Sequence, residues 1–267
     1  MLNKTALLLK LITKDPMEFY DRIRNILEVK YDNLFRLKGS YSEISKNEMV
    51  ERLGLLFHSD LNSYLNSPDY LSLQQHIIHT KPQLITNGPF NLMHNADFSL
   101  AEICYLACRV LQPETVVETG VAYGVTSAFI LEALYENNKG ELYSIDLPPL
   151  AQDPQSHVGF FVPEHLKQRW HLYFGSSRRI LPSLVHSLNK IDIFIHDSLH
   201  TYGNIAAELS IVTKYLKSPG IVIADDVQDN QAFSDWCHQH QPVYCGVVRE
   251  HEKDSLFGVS VVNTTPM

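Results

Sequence analysis

Three stretches of this sequence bring together residue types able to do chemistry. The first is Val116-Val117-Glu118-Thr119-Gly120-Val121-Ala122-Tyr123-Gly124-Val125-Thr126-Ser127. A β-branched run ends in an acid, a loop with glycines at 120 and 124 follows, and a helix begins. Gly120 lets the chain turn sharply, and Gly124 lets backbone approach a ligand or a facing strand. In an open α/β sheet such a loop lies at the carboxyl edge of its strand, where ligands bind. The spacing is G-x-x-x-G, not the G-x-G-x-x-G that wraps a pyrophosphate. An acid ahead of the first glycine would repel a phosphate and suits a cationic or zwitterionic ligand, such as an amino-acid ammonium group. Asp146 ends the next strand about twenty residues beyond Gly124, where a carboxylate can accept both ribose hydroxyls of an adenosine. The competing role for Asp146 is a helix cap or loop acid ahead of Pro148-Pro149. Phe174-Gly175-Ser176-Ser177 then follows the third strand, placed to touch an adenine ring.

The second and third stretches are acidic. Asp197 ends the fourth strand and Asp225-Asp226 end the fifth, so all three converge on one rim of the sheet. Carboxylates that close repel, and each pKa rises unless a cation compensates. Hard oxygen donors without a quorum of cysteine or histidine suit Mg²⁺, Mn²⁺ or Ca²⁺ rather than zinc. The alternative leaves Asp226 capping the next helix, with no ion. His200 and Tyr202 follow Asp197 directly; a neutral His there is a usable base near neutral pH. Otherwise it packs against a cap or a backbone carbonyl. Cys237, His238 and His240 offer zinc donors, but no second ligand pair stands at a suitable spacing. His94-Asn95 could line a cofactor entrance.

The elements that must position these groups alternate regularly from about residue 98. Helix Leu100–Leu111 ends before Pro113, and short apolar strands at 115–118, 141–146, 171–174, 191–196 and 221–224 alternate with helices at 126–135, 177–188 and 202–216. A helix at 231–240 and strands at 243–249 and 256–262 close the chain. This pattern predicts a doubly wound, mostly parallel α/β sheet of seven strands. The last two strands read as a hairpin over the charged turn Glu250–Ser255, so one runs antiparallel. Residues 1–95 carry helical patterning without strand–helix alternation and read as a helical cap or oligomerisation region; residues 96–267 form the second domain. Leu7, Leu11, Ile12 and then Phe19, Ile23, Ile26, Leu27 recur at helical spacing, with Asp15-Pro16 as a stop and a new start.

The 267 residues hold 22 Lys and Arg against 30 Asp and Glu, a formal charge of −8. Nucleic-acid binding rests largely on phosphate neutralisation, so this balance favours a small-molecule partner. The run Ala6-Leu7-Leu8-Leu9 is too short to span a bilayer and too interrupted for a signal peptide. Four cysteines (Cys104, Cys108, Cys237, Cys245) are too few to staple such a chain and read as reduced, mostly buried thiols. A cytoplasmic protein is the expectation, with no membrane partner.

The run from about 98 to 262 resembles the class I S-adenosylmethionine-dependent methyltransferases, through Glu118-Thr119-Gly120 with Gly124 and through Ser144-Ile145-Asp146. Ile193-Phe194-Ile195-His196-Asp197-Ser198-Leu199-His200-Thr201-Tyr202, then Glu208, then Gly220-Ile221-Val222-Ile223-Ala224-Asp225-Asp226, is similar to the small-molecule O-methyltransferases that include antibiotic-sugar enzymes. The resemblance implies a Rossmann-like fold and S-adenosylmethionine held by Glu118, Thr119, Gly120, Ala122, Tyr123, Gly124, Ser127, Asp146, Ser176 and Asp197. It also implies Mg²⁺ or Mn²⁺ on Asp197, Asp225 and Asp226 that coordinates the acceptor hydroxyl, with Asp197 and His200 as catalytic groups. An NAD-dependent oxidoreductase on a related sheet, and a non-catalytic scaffold that retains the fold, are the competing readings.

Overall fold

The computed structural model describes residues 4–35, 38–84, 89–90, 98–151, 153–251 and 253–263. The N-terminal part holds helices α1 (Lys4–Lys14) and α2 (Pro16–Phe35), a two-residue strand β1 (Glu43–Ile44), and helices α3 (Lys46–Phe57), α4 (Leu61–Tyr64) and α5 (Pro68–Thr80). The break between α1 and α2 falls at Asp15, whose Oδ1 accepts the Glu18 N–H at 2.9 Å and caps α2, with Pro16 in the first turn where its missing N–H costs nothing. Helix α6 (Phe98–Leu111) leads into the alternating part: β2 (Thr115–Thr119), α7 (Val125–Glu136), β3 (Glu141–Asp146), β4 (Trp170–Phe174), α8 (Ser177–Leu188), β5 (Ile191–His196), α9 (Tyr202–Val212), β6 (Leu216–Ala224), α10 (Ala232–His240), β7 (Tyr244–Arg249) and β8 (Leu256–Val262).

These strands build one sheet in the order β1-β7-β8-β6-β5-β2-β3-β4. The seven expected strands are all present, and β8 is the antiparallel one, inserted between β6 and β7. The eighth strand was not legible: β1 comes from the region read as a helical cap or oligomerisation region and pairs parallel with β7 through Glu43–Val247 and Ile44–Val248. Two residues carry no period, so no alternation announces them.

Central strands read as continuous apolar runs because both faces are covered. In β5, Ile193 and Ile195 join Val116, Ile221 and Ile223 on the side packed by α6 and α7. Phe194, one residue out of phase, joins Val117 and Val222 against Leu181, Leu184 and Val185 of α8 and Ile205, Leu209 and Val212 of α9. Met49 and Leu53 of α3 and Tyr70, Leu73 and Ile77 of α5 belong to the α6–α7 side of this core. Helices α1 and α2 do not contribute to it. The stripe that marked α2 as amphipathic is not its buried face: Leu27 is 59% exposed and Ile26 45% exposed, and the one buried side chain is Asp21. No described helix is long and apolar enough to cross a membrane.

The order of chain reverses at β2, which is flanked by β3 on one side and β5 on the other. A crevice opens outside the carboxyl ends of strands at such a switch point. The loops after β2, β3, β5 and β6 therefore meet there.

Candidate active site

A cavity of about 490 Å³ lies at this crevice. Gly120, Val121, Ala122 and Asp146 line one end, with Ser176 beside them; Asp197, His200, Asp225 and Asp226 line the other. Helix α2 forms a wall through Arg22 and Asn25. It is tied across the rim by its polar face: Arg22 Nη2 donates to the Pro148 carbonyl at 2.7 Å, Arg179 pairs with Asp21 at 3.0 Å, Arg178 pairs with Glu28 at 3.0 Å, and the Tyr202 N–H donates to Asp32 at 2.7 Å. Residues 21, 25, 28 and 32 recur at three- and four-residue spacing, so one helical face supplies the contacts.

The glycine loop is shaped by packing as much as by ligand access. Gly120 has φ +87°, and a Cβ there would overlap the Asp197 carbonyl on the neighbouring strand end. Gly124 has φ +81°, and a Cβ there would meet Gly159 Cα at 2.7 Å. Both glycines thus answer a close backbone approach and a left-handed conformation. Asp146 Oδ2 accepts the N–H groups of Val121 at 2.7 Å and Ala122 at 3.0 Å, which fixes the loop to the end of β3.

Glu118 departs from expectation. It is fully buried behind the loop and does not line the cavity, so it is not placed to meet a ligand's ammonium group. Its Oε2 accepts the hydroxyls of Ser127 and Ser144, both at 2.7 Å, while Oε1 has no partner among the described residues. Burial raises its pKa from 4.5 to about 8, against the two serine hydrogen bonds, which favour the charged form. A carboxyl whose folded pKa is raised contributes stability that is complete below about 4.5 and is lost as pH climbs to about 8. Thermal melts should therefore weaken from pH 5 to 8 in the wild type, and Glu118→Gln should flatten that slope by roughly 5 °C. Parallel curves for the two proteins would show that Glu118 is ionised in the fold.

At the other end, Asp197, His200 and Asp225 each offer one ligand atom, all within 4.8 Å of one another. Asp226 is not in this group. Its backbone is left-handed (φ 51°), and its Oδ2 lies 2.7 Å from His200 Nδ1, while Gln228 Nε2 donates to its Oδ1 at 3.1 Å. His200 Nε2 faces Asp197 Oδ1 at 3.5 Å. The converging group thus differs from the three aspartates expected: His200 joins Asp197 and Asp225 in it, while Asp226 contacts the imidazole at Nδ1. His200 Nε2 and Asp225 Oδ1 are buried without a hydrogen-bond partner among the described residues. Burial disfavours the His200 cation, but Asp197, Asp226 and Asp225 outweigh it and hold its pKa well above the ordinary histidine value. Burial first, then the charges of Asp197 and Asp226, pushes Asp225 well up. Glu250 and Lys253 complete the surroundings, with Lys253 Nζ 3.6 Å from Glu250 Oε2. Four acidic groups, Asp197, Asp225, Asp226 and Glu250, thus crowd around two basic ones, His200 and Lys253.

Residues 117–227 match the model of a family described as a methyltransferase domain. No curated protein matches the sequence. The fold is shared with the O-methyltransferase from Bacillus cereus in complex with S-adenosylhomocysteine (13% identity, 74% of this chain, 94% of that one, TM-score 0.54). It is shared as well with TomG of Streptomyces achromogenes, an O-methyltransferase of tomaymycin synthesis in complex with S-adenosylmethionine (13% identity, 90% and 97%, TM-score 0.53). A third neighbour is the S-adenosylhomocysteine-bound methyltransferase PaMTH1 from Podospora anserina (13% identity, 84% and 100%, TM-score 0.51).

Of the residues expected to hold a cofactor, the fold brings Gly120, Ala122, Asp146, Ser176 and Asp197 to the cavity wall. Thr119, Tyr123, Gly124 and Ser127 support the loop from behind. Thr119 Oγ1 donates to Glu208 at 2.7 Å, and the Tyr123 hydroxyl donates to the Phe90 carbonyl at 3.1 Å. Glu208, noted only as part of a motif, is a buried hub that also accepts from Ser198 Oγ at 2.8 Å and Asn204 Nδ2 at 2.9 Å, with His196 Nδ1 at 2.7 Å. It ties β2, β5 and α9 together under the site. Cys237, His238 and His240 form no metal-like group: among the described residues the Asp197 cluster alone meets that geometry. His94-Asn95 lies outside the described residues. Arg22, Asn25 and Lys253 were missed, because a helix's polar face and a charged turn look like solvated surface in sequence.

Proposed function

We propose that this chain transfers the methyl group of S-adenosylmethionine to a hydroxyl of a small-molecule acceptor, assisted by a divalent ion. The observation that carries the reading is one cavity with an adenosine-type end, built on Gly120, Ala122, Asp146 and Ser176, and an acidic end, built on Asp197, His200 and Asp225. The two orphaned atoms, His200 Nε2 once its proton is displaced and Asp225 Oδ1, fit a cation, and so does the crowding of four acidic groups around two basic ones. Asp197, His200 and Asp225 would hold it, and two carboxylates with one imidazole suit Mn²⁺ better than Mg²⁺. Bound together, S-adenosylmethionine would supply an already activated methyl group and the ion would lower the pKa of the acceptor hydroxyl.

The chain's own residues do the rest by placement. Asp146 presents a carboxylate to the ribose while Oδ2 keeps the loop in position. Asp226 fixes the His200 ring through Nδ1, which directs Nε2 towards Asp197 and Asp225. Lys253 of the terminal hairpin narrows the space beside the acidic end and shapes the acceptor, while Arg22 of α2 lies at the Asp146 end, bonded to the Pro148 carbonyl. Holding the acceptor oxygen in line with the methyl group provides much of the rate through proximity.

The test is cofactor affinity on Asp146 variants. Asp146→Ala should weaken S-adenosylmethionine about tenfold to a hundredfold, the loss of charge-assisted hydrogen bonds. Asp146→Asn keeps an oxygen for the Val121 and Ala122 N–H groups, so a similar loss in that variant assigns the effect to the ribose and not to the loop. An unchanged dissociation constant in both folded variants would place the ribose elsewhere.

A further inference from the structure

Two cysteines stand outside the core. Cys104 and Cys108 are buried, as expected, but Cys237 on α10 is half-buried and Cys245 on β7 is exposed. Their Sγ atoms are 3.1 Å apart, so about 1 Å of approach takes them to the ~2.05 Å of a disulfide. Neither lines the cavity. Cys245 lies near the start of β7, paired with Ser260 across β8, whereas the other end of β7, at Arg249, leads to Glu250 and Lys253 at the site.

We propose that Cys237 and Cys245 form a reversible disulfide by exchange with a low-molecular-weight disulfide, a covalent staple between α10 and the β7–β8 hairpin. The hydrogen bond between the two thiols holds Cys245 below the ordinary thiol range, while that bond and burial raise Cys237. Cys245 is therefore the attacking thiol, by charge as well as by exposure. Its thiolate attacks one sulfur of the external disulfide and expels one thiolate. The Cys237 thiolate then attacks the Cys245 sulfur of the mixed disulfide and expels the second. Two electrons pass from the protein dithiol to the external disulfide, and the two protons lost by the cysteines end on the two released thiols.

The staple closes a short loop between residues eight apart, so it should raise the melting temperature by roughly 5 °C without changing cofactor affinity. The experiment incubates the full-length protein with oxidised glutathione and follows intact mass, peptide linkage and melting temperature. The expected result is a loss of about 2 Da, a Cys237–Cys245 linked peptide, and a thermal shift reversed by dithiothreitol. Cys237→Ser should stop at a glutathione adduct on Cys245, since the resolving thiol is gone. Wild-type protein that retains both thiols, or that stops at the same mixed disulfide as Cys237→Ser, would overturn the assignment.

Discussion

Gly120→Ala is expected to abolish cofactor binding and to lower the melting temperature by roughly 10 °C. The atom that Ala adds is the one that overlaps the Asp197 carbonyl, so the loops after β2 and β5 must separate. Their spacing is otherwise set by the Asp197 N–H donating to the Thr119 carbonyl at 2.7 Å. The left-handed φ of +87° adds its own strain for any residue with a side chain. Overpacking and backbone strain of this kind together cost about 3–5 kcal/mol. Because the offending atom is Cβ, Gly120→Val should be little worse than Gly120→Ala. If the glycine served ligand access alone, Ala would be mild and Val severe. Thermal denaturation with a cofactor titration on both variants separates the two cases.

The second large effect concerns the ion. Chelation with EDTA should remove methyl transfer while leaving S-adenosylhomocysteine affinity within about threefold, and Mn²⁺ should restore it more fully than Mg²⁺. Asp225→Asn should lower turnover at least a hundredfold, because a buried carboxylate that faces the cluster is lost. Asp226→Asn should cost about tenfold, the usual size for a group that orients a ligand without being one. That ranking follows from geometry alone: Asp226 contacts His200 Nδ1 and stands outside the group of converging atoms. An equal loss in the two aspartate variants would restore Asp226 as a direct ligand. Undiminished activity in EDTA together with a wild-type rate for Asp225→Asn would remove the ion from the account.

What the sequence made legible follows from how each feature is encoded. The strands of the switch point were readable because β2, β5 and β6 are covered on both faces and must be apolar throughout. The glycine loop, Asp146 and Asp197 were readable because strand ends at one rim meet whatever the side chains do. The separation of Asp226 from the group that Asp225 joins was not, since neighbouring residues at a strand end point to opposite sides and the left-handed turn at Asp226 has no Gly or Asn to announce it. Glu118 was placed in the ligand site because its position before the glycine is at the rim. Its side chain points the other way, towards Ser127 and Ser144, and only three-dimensional burial reveals that. Helix α2 misled for a different reason. Its apolar stripe normally marks the inward face, yet here the polar residues Asp21, Arg22, Glu28 and Asp32 find partners on the loops and α8, and the apolar side remains outward.

The central claim is that the cavity at the β2–β5 switch point binds S-adenosylmethionine and not a dinucleotide. Isothermal titration of the full-length protein with S-adenosylhomocysteine and, separately, with NAD tests it most directly. Saturable binding of S-adenosylhomocysteine, weakened by Asp146→Ala and lost in Gly120→Ala, is the expected result, with no heat from NAD. Tight NAD binding with no response to S-adenosylhomocysteine would contradict it.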